Sequence, residues 1–151
     1  MATHLNRWLQ LSSLERGALV EAAVMLAAAS LAVAVLPFRR AMALVRPTPS
    51  KDDELDTEGR AAELVQWAIT ACARRIPLRT LCLEQALASH WMLRRRSIAS
   101  VVHYGTGKGE RGLQAHAWVR TARHDVVGCD NAEDFVELAR FPLINKAAQR
   151  R

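Results

Sequence analysis

Apolar positions follow two periods along this chain, a helical one up to about residue 96 and an alternating one after it. The first segment, Leu11 to Ala43, is predicted as helix, with Ser12 or Ser13 as candidate N-cap and Pro37 as a stop or kink. Arg46-Pro-Thr-Pro-Ser-Lys-Asp-Asp-Glu54 then breaks the pattern with two prolines and a charge run, and reads as a linker. From Glu58 to Ala73, a stripe of Ala61, Leu64, Val65, Ala68, Ile69 and Cys72 recurs at helical spacing. Beyond Pro77 another helix is predicted from about Leu81 to Arg96. Thr80 is its candidate N-cap, Leu83, Ala86, Leu87 and Trp91 line one side, and Arg94 to Arg96 complement the dipole at its C-terminal end.

The alternating part begins with a strand at Ile98 to Tyr104. The glycine-rich stretch from Gly105 to Gly112 reads as a mobile hairpin connection, with a lid over substrate as the alternative. Leu113 to Thr121 is a second strand and Asp125 to Asp130 a third, joined by a tight turn. Helices followed by antiparallel strands make an α+β domain, in which helices pack on a small antiparallel sheet. The expected organisation is an N-terminal helical segment (1–45), a linker (46–57) and the domain proper (58–151).

Composition narrows the partners. A chain of 151 residues, 50% apolar, buries one core and has no room for two full domains. Its net charge of +6 favours an acidic partner, a peptide, a nucleic acid or an anionic surface. The arginines are scattered in pairs rather than set in one stripe with interleaved aromatics, so nucleic acid is not expected. Cys72, Cys82 and Cys129 are an odd number at wide spacings, which points to a reducing, cytoplasmic compartment. With no CxxC pair a structural zinc site is not expected, and no other metal or cofactor is expected. The run from Ala18 to Leu36 carries a single charge, Glu21, and admits two readings, a packed helix and membrane contact.

Two residues stand where chemistry needs them. Cys82 falls in the first turn of its helix, where unpaired N–H groups and the positive dipole end favour an anion: the attacking thiolate, or an oxyanion held beside it. In Leu113-Gln-Ala-His-Ala-Trp-Val-Arg120, Leu113, Ala115, Ala117 and Val119 share the core face. His116 projects from the other face beside Trp118, which shields it from water, a setting that suits a general base. Asp125 and Asp130 compete to orient the imidazole. With a three-residue turn at Ala122-Arg123-His124, Thr121 pairs with Asp125 and His116 faces Asp130, while Asp125 lies roughly 17 Å away along the strand. A one-residue slip would put Cys129 opposite His116 instead.

Pro77-Leu-Arg-Thr-Leu-Cys-Leu-Glu-Gln-Ala-Leu87, Ala115-His-Ala-Trp-Val119 and a hairpin ending in Cys129-Asp130 together resemble the leader peptidases of lasso-peptide biosynthesis, a branch of the transglutaminase-like, papain-related superfamily. The resemblance covers roughly Glu58 to Pro142, and Leu36-Pro-Phe-Arg-Arg40 looks like that family's N-terminal region. It implies a Cys82–His116–Asp130 triad and matches Arg79 to an arginine preceding the nucleophile. It further implies cleavage of a precursor peptide between leader and core, a separate leader-recognition protein, and a separate cyclase that closes the macrolactam. The same triad suits an acyltransferase, and a non-catalytic peptide- or membrane-binding module is the remaining alternative.

Overall fold

Ser12 and Glu15 start the first helix by capping each other. The Ser12 hydroxyl accepts from the Glu15 N–H at 3.2 Å, and the Glu15 carboxylate accepts from the Ser12 N–H at 2.8 Å. Helix α1 (Ser13–Val35) runs from this cap to Leu36-Pro37, where the chain breaks before the short α2 (Phe38–Met42). The structure, a computed structural model, describes residues 10–49, 55–75, 81–109 and 112–143. Beyond α2 come α3 (Leu55–Ala73) and α4 (Cys82–Arg95), then β1 (Val101–Gly109), β2 (Gly112–Arg120), β3 (Asp125–Val127), a 3-10 turn (Ala132–Asp134) and β4 (Val136–Phe141). The α+β class is as expected: helices on a four-stranded antiparallel sheet of order β3-β2-β1-β4.

Helix α4 is the hub. It packs against α1, α3 and the sheet, and Leu87, Met92 and Leu93 within it are fully buried. Each such side chain contributes about 1.5–3 kcal/mol by leaving water. Helix α4 also packs closely on α1, whose Ala18, Ala22, Leu26 and Ala29 are buried. Residues of α1 and of the sheet thus belong to one core. Glu21, the lone charge in the apolar run, is held by Arg95 at 2.9 Å and Arg96 at 2.7 Å. Two arginines of the expected C-terminal triplet therefore clamp α1 onto α4. The helix ends in a Schellman turn, with Ile98 N–H on Leu93 O, Ser97 N–H on Arg94 O, and Ser97 at φ 58.

The sheet departs from expectation in three places. Residues Gly105 to Gly109 are strand, paired with His116 to Gly112, and not a mobile connection. Glycine is needed there because other backbone comes close: a Cβ on Gly105 would lie 2.6 Å from Val136 O, and one on Gly107 2.5 Å from Asp134 O. Strand β4 had not been foreseen. It is an edge strand whose apolar Val136 and Leu138 are exposed, so its pattern gives no core face. The third departure is β3, which stops at Val127 instead of Asp130.

The hairpin explains that stop. Val119 pairs with Val127 as the sequence geometry requires, but Arg120, not Thr121, pairs with Asp125, with a bulge between the two registers. The turn closes by Thr121 N–H on His124 O. At Gly128 the φ of +71 turns the chain out of the ladder before it reaches His116, so the expected cross-strand pairing of His116 with Asp130 does not form. From Gly128 the chain passes to β4 on the far edge and lays Phe135 on His116, with ring centroids 4.6 Å apart.

Candidate active site

Cys82 is the first residue of α4, and Leu81 is the N-cap in place of Thr80. The first intrahelical donor is Gln85, whose N–H reaches Leu81 O at 3.2 Å. The N–H groups of Cys82, Leu83 and Glu84 accordingly have no partner within the helix, and the positive dipole end gathers at the thiol. Cys82 is half-buried, and its Sγ lies 4.0 Å from the carbonyl oxygen of Ala115, the residue before His116. Thiol and imidazole thus belong to one locality, although the sulfur's contact is with the Ala115 carbonyl and not with the ring. Glu84, in the same turn, is buried and its Oε2 finds no hydrogen-bond partner among the described residues.

The other two thiols are occupied differently. Cys72 Sγ donates to Leu19 O at 3.3 Å, linking α3 to α1, and Cys129 Sγ donates to Val119 O at 3.3 Å. Burial pushes the Cys72 thiol up. Burial, reinforced by the nearby Asp125 carboxylate, does the same to Cys129. Both are held as protonated S–H donors, the form that does not attack.

His116 donates through Nε2 to the Gly128 carbonyl at 2.7 Å. A carbonyl only accepts, so Nε2 carries the proton and Nδ1 keeps the basic lone pair. The ring lies against Phe135 and against Trp118, whose centroid is 5.8 Å away. Trp118, 4% exposed, stacks in turn on His103 at 5.4 Å and 4° between planes. His103 Nδ1 meets Glu137 Oε2 at 2.7 Å, and Arg140 also donates to Glu137. Burial alone would push the Glu137 carboxyl up, but these donors outweigh it and hold it below its usual range. The sheet's outer face thus carries a continuous stack of His103, Trp118, His116 and Phe135.

Gly128, His103, Glu137 and Phe135 are the site residues that sequence reading passed over. Only Gly128 left a local signal, a glycine at the end of an alternating strand. Its role requires glycine, since at φ +71 a Cβ would also lie 2.6 Å from Ala117 O.

Asp130 is exposed and lines an open groove of ≈ 580 Å³ with Gln66, Trp67, Thr70, Arg74 and Arg75. Asp125 is paired with Arg120 at 2.7 Å. Arg79 lies outside the described residues. Among the described residues no group of three His, Cys, Asp or Glu converges as a metal site.

A helix that begins with a cysteine, packed on an antiparallel sheet whose second strand carries a histidine, defines a papain- or transglutaminase-like class of domain. The chain belongs to the transglutaminase-like superfamily, whose profile matches residues 9–140, α1 included. Members of that superfamily are typically cysteine-protease-like enzymes. Neither the curated proteins nor the solved structures searched contain a match.

Proposed function

We propose that this protein is a cysteine peptidase that removes the leader from a ribosomal lasso-peptide precursor, with Cys82 as nucleophile and His116 as base. The observation that carries the chemistry is the His116 Nε2–H bond to Gly128 O, which leaves a basic Nδ1 on the residue next to the Cys82 contact. Catalytic hydrogen bonds in unliganded enzymes are commonly long and tighten when substrate binds.

In the cycle, His116 Nδ1 takes the thiol proton and the Cys82 sulfur attacks the scissile carbonyl. The oxyanion gathers at the free N–H groups of the first turn of α4. The imidazolium then protonates the leaving amine, which departs as the core's new N-terminus and leaves the leader as a thioester on Cys82. Water, deprotonated by His116, hydrolyses it. Asp130, the third residue of the triad in the resemblance, stands two positions after Gly128. The leader is presented by a separate recognition protein, and the freed amine passes to a separate cyclase. These partners, like the substrate class, rest on the sequence resemblance.

The test is mass spectrometry of a candidate precursor incubated with the protein and the recognition protein. Two fragments separated at the leader–core junction are expected, with none from Cys82→Ala. A mass gain from an added amine without backbone cleavage would assign the thioester to acyl transfer instead.

A further inference from the structure

The side chains of α1 that leave the core form a row of their own. Val20, Val24, Leu31 and Val35 are 56%, 59%, 65% and 69% exposed, and Ala27 and Ala28 lie exposed between them. Their spacing puts them on the side of the helix opposite Ala18, Ala22, Leu26 and Ala29. No carboxylate stands on this row. Glu15 is folded back onto Ser12, and Glu21 is turned to Arg95 and Arg96.

Helix α1 is long and apolar enough to cross a membrane, with a mean hydropathy of 2.2 over its most apolar window. Crossing would strip its inner face from the core it shares with α3 and α4 and break the Glu21 clamp. Lying flat keeps the inner face packed and offers the outer row to an interface. The charge beside the row selects which interface. Arg39 and Arg40 are exposed just beyond Val35, and the chain carries a net charge of +6, so the complementary surface is anionic.

We propose that the outer face of α1 docks on an anionic lipid bilayer. The helix lies parallel to the membrane plane, with Val20, Val24, Leu31 and Val35 in the acyl boundary and Arg39 and Arg40 at the lipid phosphates. None of these residues belongs to the catalytic locality, so the inference stands apart from the peptidase reading.

Vesicle flotation of the intact purified protein tests it, using phosphatidylglycerol–phosphatidylcholine vesicles against phosphatidylcholine alone. The protein is expected to float with the anionic vesicles, to stay behind with the neutral ones, and to be released as salt rises. Val24→Glu combined with Leu31→Glu alters two exposed positions and should abolish flotation. Arg39→Gln with Arg40→Gln should weaken partitioning roughly thirtyfold. Failure of the parent protein to float with anionic vesicles overturns the proposal, as does undiminished binding by both double variants. A concentration-dependent dimer in light scattering, abolished by the glutamates while vesicles bind nothing, would give the row to a second copy of the chain.

Discussion

The imidazole of His116 is oriented by a main-chain carbonyl, that of Gly128, at 2.7 Å. A backbone acceptor fixes the tautomer as a carboxylate would, without adding a charge beside the ring. Gly128→Ala brings strain from the φ of +71 and a contact with Ala117 O. It is expected to cost about 1–3 kcal/mol of stability and at least about tenfold in kcat/KM, measured well below its melting temperature.

The two aspartates should separate. Asp125 is spent on an exposed pair with Arg120, so Asp125→Asn is expected to change stability by less than about 1 kcal/mol and leave turnover near its starting value. Asp130→Asn, on the Gly128 turn, is expected to lower kcat clearly more. Steady-state kinetics on the two variants side by side decides, and equal losses would remove Asp130 from the site.

Among the three thiols, Cys82 alone is expected to be alkylated early by iodoacetamide at neutral pH, because the buried Cys72 and the half-buried Cys129 are both S–H donors whose pKa is pushed up. Peptide mapping over time reads this directly. Cys82→Ala should abolish turnover while stability shifts by only about 1 kcal/mol, whereas Cys129→Ala should retain activity.

The ring stack makes His103 a positioning residue. His103→Ala removes one face of the Trp118 support and is expected to lower kcat about tenfold with KM little changed. His103→Phe restores an aromatic face without the bond to Glu137 and should recover most of the loss. Recovery failing in the Phe variant would assign the effect to the His103–Glu137 bond instead.

Acid should weaken the fold through His90. This histidine is buried in α4, with Nδ1 accepting from Ser100 Oγ at 2.8 Å and Nε2 donating to Arg46 O at 3.1 Å. Burial lowers its pKa from 6.5 to about 4. The unfolded chain therefore takes up this proton first as pH falls below 6.5. Stability from neutral His90 is fully present above that pH, declines between there and about 4, and the loss reaches about 3 kcal/mol. Urea denaturation at pH 7 and pH 5 should show the slope, and His90→Gln should flatten it.

Some of this protein was determined by the sequence alone. The period of apolar residues and the placing of Ser12, Pro37 and Pro77 define the helices and their order, because capping and proline act within a few residues. Periodicity likewise put His116 and Trp118 on the outer face of β2 and Cys82 in the first turn of its helix. Only the tertiary structure decided what those side chains meet. The register of β3 depends on a one-residue bulge, and its end on a single glycine with positive φ, neither of which alters the alternation of the sequence. The glycines that read as a mobile loop are strand because β2 pairs with all of them up to Gly109, while residues 134–137, later in the chain, close on Gly105 and Gly107. Whether the apolar α1 is core or surface was likewise not written in its composition: packing on α3 and α4 buried one side and left the other bare, since a helix buries only the face its neighbours cover.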